Sequence, residues 1–483
     1  MLATRALLSA IALGSQLLLS DAFATAGGSA LLRPCFAMVS GVRQAQSPRE
    51  VGVRRSGRLQ GLAMKAADSG DARATALRQL ESFQREDYHC PWWANNGNVN
   101  SIAGALFQSP KAPPYRRERY DTDDGGFFDV DFLSSTEAFS RGMVVLLHGL
   151  ESCSTAPLTV RQAKSFAAAG FDVAAINFRG CSKDAAGEQI ECATATMYHL
   201  GYTDDVKWLL TRLHQEVPTR RMYLSGVSLG GNVATKALGE LGESARDLNV
   251  CGGAVGCVPI NLVESAGIID RPGFNKRVYS GNFLKTMCKK ASKLHAKFPA
   301  ARKAFSLETV AKIDTLGELD NSIIAPLFGF EDKLDYYRQS DSRQYLSKIQ
   351  VPHYVINARD DPFFCPDSLP DESDVKYGTV RIDYSEHGGH CGFVENESVN
   401  FSPARILTKL LPDAGIPEPS GNAPNGYLPE QLARMLEHLD AESGGQPTRA
   451  ARLNVRFMRR MLGASVVGAR MPRETAVAAG GGL

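Results

Sequence analysis

Residues 221–231 read RMYLSGVSLGG, a short apolar run that ends in a serine between two glycines. The run over 221–225 predicts a buried strand, and a helix is predicted to begin near Gly231. A G-x-S-x-G motif between a strand and a helix is typical of a nucleophile elbow, a tight turn that exposes a reactive serine. Ser228 is therefore the candidate nucleophile, and the small residues Gly226 and Gly230 let strand and helix approach closely.

Short strands and helices alternate on both sides of this motif, which predicts an α/β fold with right-handed crossovers. Most of the strand-like runs are continuous and apolar, as in parallel strands that are buried on both faces. Strands are predicted over 127–132, 143–147, 172–176, 221–225, 250–258, 353–357 and 379–383, and helices over 160–169, 202–216 and 231–241.

The interval from about 260 to 345 breaks this alternation, because it contains no clear strand and is rich in Lys, Asp, Tyr and Phe. We expect it to form a mostly helical cap between the sixth and seventh strands, over the edge where open α/β sheets bind ligands. Its aromatic residues are candidates to line a substrate pocket: Tyr279, Phe283, Phe328, Phe330, Tyr336 and Tyr337.

A serine nucleophile needs a histidine base and a carboxylate that orients this base. The turn after the strand over 353–357 contains two aspartates, and we choose Asp361 because it directly precedes Pro362. Asp360 remains the alternative. After the last predicted strand, His390 follows two glycines and is the predicted base, with His387 as the alternative.

The order Ser228, Asp361, His390 along the chain is that of α/β-hydrolases. In this fold, the loop after an earlier strand and the residue after the nucleophile supply the backbone N–H groups of an oxyanion hole. These residues would be Leu150, in the sequence His148-Gly149-Leu150, and Leu229. His148 itself precedes the elbow and is expected to be structural.

The motifs as a set resemble the YheT-like branch of the α/β-hydrolases, which includes plant embryogenesis-associated hydrolases and animal membrane-anchored abhydrolase-domain proteins. The resemblance runs from about Pro91 to Phe393. Its motifs lie at 115–119, 124–126, 131, 148–151, 177–181, 198–205, 228–232, 328–330, 335–337, 349–352, 357–358, 360–363 and 388–393.

This resemblance implies a serine esterase or lipase that acts on carboxylic esters, such as acylglycerols, phospholipids or short-to-medium acyl esters. It carries the triad to Ser228, Asp361 and His390 and implies no metal or organic cofactor. Two features depart from the family pattern: the loop over 364–367 is one residue longer, and Phe178 stands where histidine is frequent. An acyltransferase with the same triad, or a ligand receptor on a hydrolase scaffold, are the alternatives.

The N-terminus is typical of a targeting leader. Residues 1–24 contain a basic start, an uncharged run over 6–19 and an Ala22-Phe23-Ala24 cleavage site, as in a signal peptide. Residues 25–66 are basic and rich in Ser, Gly and Ala, as in a transit peptide. Together they resemble the bipartite leaders that direct proteins to secondary plastids. An uncleaved signal-anchor and plain secretion are the alternatives.

We expect the hydrolase domain over 80–411, with its core motifs over 141–396, and a linker and basic tail over 412–483. Within the tail, leucine spacing predicts a helix over 429–441, and a basic amphipathic pattern covers 449–462. Such a basic segment can lie on an anionic membrane, or it can be a solvated tail.

Charge and cysteine patterns exclude several classes of protein. Net charge is +6 over 1–66, +6 over 443–483 and −10 between them, so the folded body lacks the basic surface of a nucleic-acid-binding protein. No stretch is long and apolar enough for a multi-span membrane protein. The ten cysteines form no C-x-x-C pair, which favours free thiols. The predicted partner is a small-molecule or lipid ester, with peripheral or single-pass membrane association through the termini; the sequence does not predict an oligomeric state.

Overall fold

The computed structural model describes residues 72–108, 110–375, 378–395, 425–444 and 448–449. The predicted leader over 1–24 and 25–66, the linker over 412–424 and all but the first residue of the basic segment over 449–462 lie outside these residues. None of the helices in the described ranges has the length and apolar character that crossing a bilayer requires.

An eight-stranded sheet forms the centre of the protein, in the order β1-β2-β4-β3-β5-β6-β7-β8. β1 and β2 pair antiparallel, as do β2 and β4, and every later pair is parallel. Two short strands, Phe139–Ser140 and Thr448–Arg449, pair separately. The sheet strands are β1 Arg116–Asp121, β2 Phe127–Leu133, β3 Met143–Leu147, β4 Asp172–Asn177, β5 Met222–Val227, β6 Val250–Gly256, β7 His353–Ala358 and β8 Val380–Ser385.

The seven predicted strands are confirmed to within two residues at each end, and β1 is the strand of this sheet that the sequence analysis missed. Helices cover both faces of the sheet, so the predicted α/β class is also confirmed. The helices that precede the cap in the chain are α1 over 72–82, α2 Gly97–Phe107, α3 Pro157–Ala168, α4 Asp204–Glu216, α5 Leu229–Leu241 and α6 Ser244–Asp247.

Each face of the sheet has its own apolar core, and β3 shows how the strands divide between them. Val145 and Leu147 pack with α4 and α5 on one face. Val144 and Leu146 pack with α1 and α3 on the other face. Because successive side chains of a strand point to opposite faces, a continuous apolar run is what a strand between two cores requires.

The predicted helix over 429–441 belongs to the second core. It spans Tyr427–Glu442, and its leucines at 428, 432, 436 and 439 are buried against α3 and β6. At its end, the Tyr223 hydroxyl of β5 donates to the Asp440 carboxylate at 2.9 Å. The folded core therefore includes residues beyond 411 that the sequence analysis assigned to the linker and tail.

The interval between β6 and β7 is helical, as predicted, and has a third apolar core. This cap lies between the sixth and seventh strands of the sheet. It contains α7 Leu262–Ile269, α8 Gly281–Lys297, α9 Pro299–Ala304, α10 Leu307–Lys312, α11 Leu316–Leu319, α12 Ala325–Phe328 and α13 Lys333–Ser340, π-helical turns at Lys276–Ser280 and Asp320–Ile324, and a 3₁₀ helix at Ser342–Lys348. After β7 come a 3₁₀ turn at Pro366–Ser368 and α14 Glu372–Val375. After β8 comes α15 Tyr427–Glu442.

Two helical glycines allow a test of this packing. A Cβ added at Gly239 in α5 would lie 2.5 Å from the Tyr345 Cβ atom, whereas one added at Gly267 in α7 would meet no atom within 4 Å. We expect Gly239→Ala to lower the free energy of unfolding by about 1–3 kcal/mol through overpacking. Gly267→Ala should raise it by about 0.5–1 kcal/mol, because alanine is the better helix former. Urea unfolding measures both, and equal effects would contradict the close approach of α5 to the 3₁₀ helix.

Candidate active site

Ser228 lies in the turn between β5 and α5, in a strained conformation with φ 54° and ψ −126°. Residues other than glycine rarely adopt a positive φ, so the surrounding structure must hold the turn. The turn is also crowded, because a Cβ added at Gly230 would lie 2.3 Å from the carbonyl oxygen of Leu147 in β3. The elbow that the motif predicted is therefore present, and it depends on the absence of a side chain at 230.

Three predicted residues form one hydrogen-bonded chain at the carboxyl edge of the sheet. The Ser228 hydroxyl donates to His390 Nε2 at 2.8 Å, and His390 Nδ1 donates to Asp361 Oδ2, also at 2.8 Å. The other Asp361 oxygen accepts from the backbone N–H of Phe363 at 2.8 Å. These residues follow β5, β8 and β7, so three parallel strands bring together side chains that are far apart in sequence.

The surroundings of His390 favour its positive form. Burial is the largest single influence and lowers the pKa of the imidazole, but the Asp361 carboxylate and the neighbouring Cys391 together raise it by more, so the net shift is upward. Asp361 is fully buried and directed at the ring nitrogen opposite the serine. The arrangement therefore stabilises an imidazolium, the form that His390 takes when it accepts the serine proton.

Asp360 and His387, the alternatives from the sequence analysis, contact each other instead. One Asp360 oxygen lies 3.3 Å from His387 Nδ1, and the other accepts from the backbone N–H of Gly389 at 2.8 Å. The His387 side chain is 43% exposed, against 11% for His390. The structure thus brings Asp361, rather than Asp360, to the histidine that contacts Ser228.

Leu150 and Leu229, the predicted oxyanion residues, line the same cavity as Ser228. Leu229 is the first residue of α5, so its backbone N–H has no acceptor within the helix. The loop that carries Leu150 packs on the nucleophile, since a Cβ added at Gly149 would lie 3.6 Å from the Ser228 Cβ atom. Leu150 and Leu229 therefore lie beside Ser228, and the oxyanion role of their backbone amides stays a prediction.

A buried polar network holds the residue after Leu150. The backbone N–H of Glu151, which has φ 54°, donates to the Tyr198 hydroxyl at 2.8 Å, and this hydroxyl donates to the Glu151 carboxylate at 2.8 Å. Lys290, from α8 of the cap, donates to the same carboxylate at 2.6 Å. The sequence analysis assigned no role to Lys290, because it lies outside the motifs and its partner is 139 positions away.

A second network fixes the far end of this loop. The backbone N–H of Ser154 donates to Asn177 Oδ1 at 2.9 Å, and the Ser154 hydroxyl donates to Asp131. Arg117 in β1 donates to both oxygens of Asp131, at 2.8 and 2.7 Å. The motif residues Arg117, Asp131 and Asn177 therefore act on the site through this loop.

His148 has a structural environment, as expected. It is fully buried, and burial lowers the pKa of its ring to about 4, so the ring is neutral at pH 7. Its Nδ1 donates to the carbonyl oxygen of Gly149 at 2.7 Å, and its Nε2 accepts from the backbone N–H of Phe178 at 3.2 Å. With both ring nitrogens bonded to backbone, His148 has no free position for proton transfer.

A largely apolar cavity opens beside Ser228 and His390. Two of the six aromatic residues proposed for a pocket, Phe283 and Tyr336, line it. Phe328 and Phe330 pack on the ring of His199, which is also on the wall. The apolar residues of the cap that line the cavity are Leu262, Ala266, Ile269, Phe283, Met287, Leu316 and Ile324.

Within the described ranges, no group of His, Cys, Asp and Glu side chains is arranged to hold a metal ion. The nine cysteines in these ranges are all free thiols. Cys391 adjoins the histidine, and its backbone N–H donates to the Cys257 sulfur at 3.1 Å.

Known proteins resemble this chain in sequence. Residues 142–397 match the profile of the alpha/beta hydrolase fold family. The chain is 29% identical to the "Putative esterase YheT" of Escherichia coli, over 66% of this chain and 90% of that protein. It is 28% identical to the monoacylglycerol lipase of Saccharomyces cerevisiae, over 58% and 60% of the two chains. It is 25% identical to the phospholipase ABHD3 of Mus musculus, over 64% of this chain and 74% of that protein.

The two aspartates after β7 can be told apart by substitution. Asp361→Asn should slow the reaction of Ser228 with a fluorophosphonate probe by about 10⁴-fold, because an amide favours the wrong tautomer of His390. Asp360→Asn is the matched control and should react at a rate close to that of the wild type. The measurement is the labelling rate by mass spectrometry. A larger loss in Asp360→Asn than in Asp361→Asn would contradict the hydrogen-bonded chain.

The ion pair between Lys290 of the cap and Glu151, the residue after Leu150, can be tested separately. Lys290→Met leaves the buried Glu151 carboxylate without its cation and should lower the free energy of unfolding by about 3–5 kcal/mol. Adding Glu151→Gln removes the isolated charge and should recover most of this loss. Urea unfolding of the single and double variants forms the test. The idea fails if Lys290→Met is as stable as the wild type.

Proposed function

The chain belongs to the α/β-hydrolase family, on its YheT-like branch, and we propose that it is a serine hydrolase that cleaves carboxylic esters. The observation that carries this proposal is the continuous hydrogen-bonded chain from Ser228 through His390 to Asp361, which opens into an apolar cavity. The names of the relatives support it, since an esterase, a lipase and a phospholipase all act on esters.

In this mechanism, His390 accepts the Ser228 proton while the serine oxygen attacks the ester carbonyl. The backbone amides of Leu150 and Leu229 stabilise the negative oxygen of the tetrahedral intermediate. His390, held as an imidazolium by Asp361, then donates the proton to the departing alcohol. A water molecule, activated by His390, attacks the acyl-enzyme and releases the acid.

The cavity supports lipid esters as the substrate class. Its wall is largely aliphatic and aromatic, so an acyl chain that enters it leaves water for apolar surroundings. Polar groups in the wall are few, as is usual for pockets that recognise apolar ligands at a small number of positions. We therefore propose acylglycerols, phospholipids or other acyl esters as substrates.

We also propose delivery to a plastid through the bipartite leader, on the composition of residues 1–66 alone. The uncleaved anchor and the secretory pathway are the alternatives. The basic residues of the C-terminal tail support peripheral membrane association, which would bring the site close to lipid substrates.

Ser228→Ala tests the mechanism in the purified full-length chain. We expect fluorophosphonate labelling to disappear and the hydrolysis of p-nitrophenyl acyl esters to fall by about 10⁶-fold, because the nucleophile is lost. Ser165→Ala, in α3 on the opposite face of the sheet, is the matched control and should behave as the wild type. If a long-chain alcohol is added and its acyl ester forms instead of the free acid, the chain is an acyltransferase. Equal hydrolysis by Ser228→Ala would contradict the proposal.

A further inference from the structure

One carboxylic acid lies on the wall of the apolar cavity beside Ser228. Asp320 is the first residue of the π-helical turn Asp320–Ile324 in the cap, and it is 8% exposed. Leu316, Phe283 and Ile324 line the same wall. Among the described residues that line this cavity, Asp320 is the only one with a carboxyl side chain. A buried acid among apolar residues is costly unless its oxygens have partners.

The structure gives Asp320 one partner. Its Oδ2 accepts from the Tyr337 hydroxyl at 2.7 Å, and the hydrogen bonds of the described residues leave Oδ1 without a donor. The neighbouring Asp270 differs, because it accepts from the Ser280 hydroxyl and from the backbone N–H groups of Leu316 and Gly317. Asp270 thus has the environment of a structural carboxylate, whereas Asp320 keeps an oxygen available beside the cavity.

His199 adds a donor to the same wall. The backbone N–H of Gly201 donates to its Nδ1 at 3.2 Å, so the proton of the neutral ring is on Nε2. Burial lowers the pKa of His199 to about 3, which keeps the ring neutral at pH 7. The hydrogen bonds of the described residues give Nε2 no acceptor. The Tyr336 ring, which also lines the cavity, lies 5.4 Å from the ring of His199 and 5.3 Å from that of Tyr337, the residue that bonds Asp320.

We propose that Asp320 is a specificity residue that binds a hydroxyl group on the part of the ester that enters the cavity. A hydroxyl can donate to Asp320, and it can also accept from a donor on the same wall. A plain alkyl chain leaves the carboxyl oxygen unpaired. The hydroxyl-bearing ester is therefore the class that this wall fits best. This inference rests on the proposed esterase function.

The hydroxyl could belong to the acyl chain or to the alcohol portion of the ester, and two pairs of substrates distinguish these sources. The first pair compares p-nitrophenyl decanoate with p-nitrophenyl hydroxydecanoate, which is made with the hydroxyl at each of several positions along the chain. The second pair is propyl decanoate and monodecanoylglycerol, which differ in the hydroxyl groups of the alcohol. The measured quantity is the ratio of kcat/KM within each pair.

We expect the wild-type chain to prefer the hydroxylated member of at least one pair by about tenfold or more, as one hydrogen bond to a buried acid provides. Asp320→Leu should lose this preference. Asp320→Asn should keep part of the preference, because its amide oxygen still accepts. Tyr337→Phe removes the structural partner but leaves the carboxyl beside the cavity, so it should keep the preference.

Fluorophosphonate labelling of Ser228 and the thermal midpoint show whether each variant is folded. No preference in the wild type for either pair, or an unchanged preference in a folded Asp320→Leu, would overturn the proposal. If the wild type cleaves no ester, the esterase proposal fails instead. The subsite is then tested by calorimetry with decanol and decanediol, and equal affinities for these two alcohols overturn it.

Discussion

The rest of the site depends on the close approach of β3, β5 and α5 around Ser228. A side chain at 230 would collide with the carbonyl oxygen of Leu147, and one at 226 would lie 2.7 Å from the backbone of Gly230. The positive φ of Ser228 exists because the sheet on one side and the helix on the other leave the chain no other path. The same geometry brings the N-terminus of α5 to Ser228, so the strained turn and the position of Leu229 have one structural cause.

Each buried carboxylate around the loop that carries Leu150 accepts hydrogen bonds from several residues rather than from one. Asp131 accepts from Arg117, Ser154 and Asn177, and the Glu151 carboxylate accepts from Tyr198 and Lys290. An isolated buried charge would cost several kcal/mol, so each network is stable only when complete. This explains why motif residues of β1, β2 and β4, which never touch Ser228, accompany the triad in sequence. They hold the loop that carries Leu150, whose backbone amide is the proposed oxyanion donor.

Features that depend on local sequence patterns, such as the buried strands, could be predicted. Features that depend on contacts between residues far apart in the chain could not. Apolar periodicity located seven strands, because each is buried, but β1 reads RRERYD and buries only Tyr120. Ser228, Asp361 and His390 could be placed together because each follows a parallel strand, and the carboxyl ends of parallel strands meet at one edge of the sheet. Lys290 and Asp320 could not be assigned a place, because one pairs with a residue 139 positions away and the other looks in sequence like any surface acid. The helix α15 was predicted, but its leucine face could not show which core it would join.

The cap holds both halves of the site by contacts of different kinds. On the oxyanion side the contact is the buried ion pair of Lys290 with Glu151. On the base side, Asn275 donates to the carbonyl oxygen of Pro362 at 3.0 Å, Tyr279 packs on Phe363, and Phe363 lies 4.0 Å from the ring of His390. A hydrogen-bonded ion pair fixes the direction of its two side chains, whereas packing between rings fixes the plane of a side chain. The cap therefore supports the proposed catalytic residues as well as forming a wall of the cavity, and under the proposed function a change in its sequence would affect both the reaction and the choice of substrate.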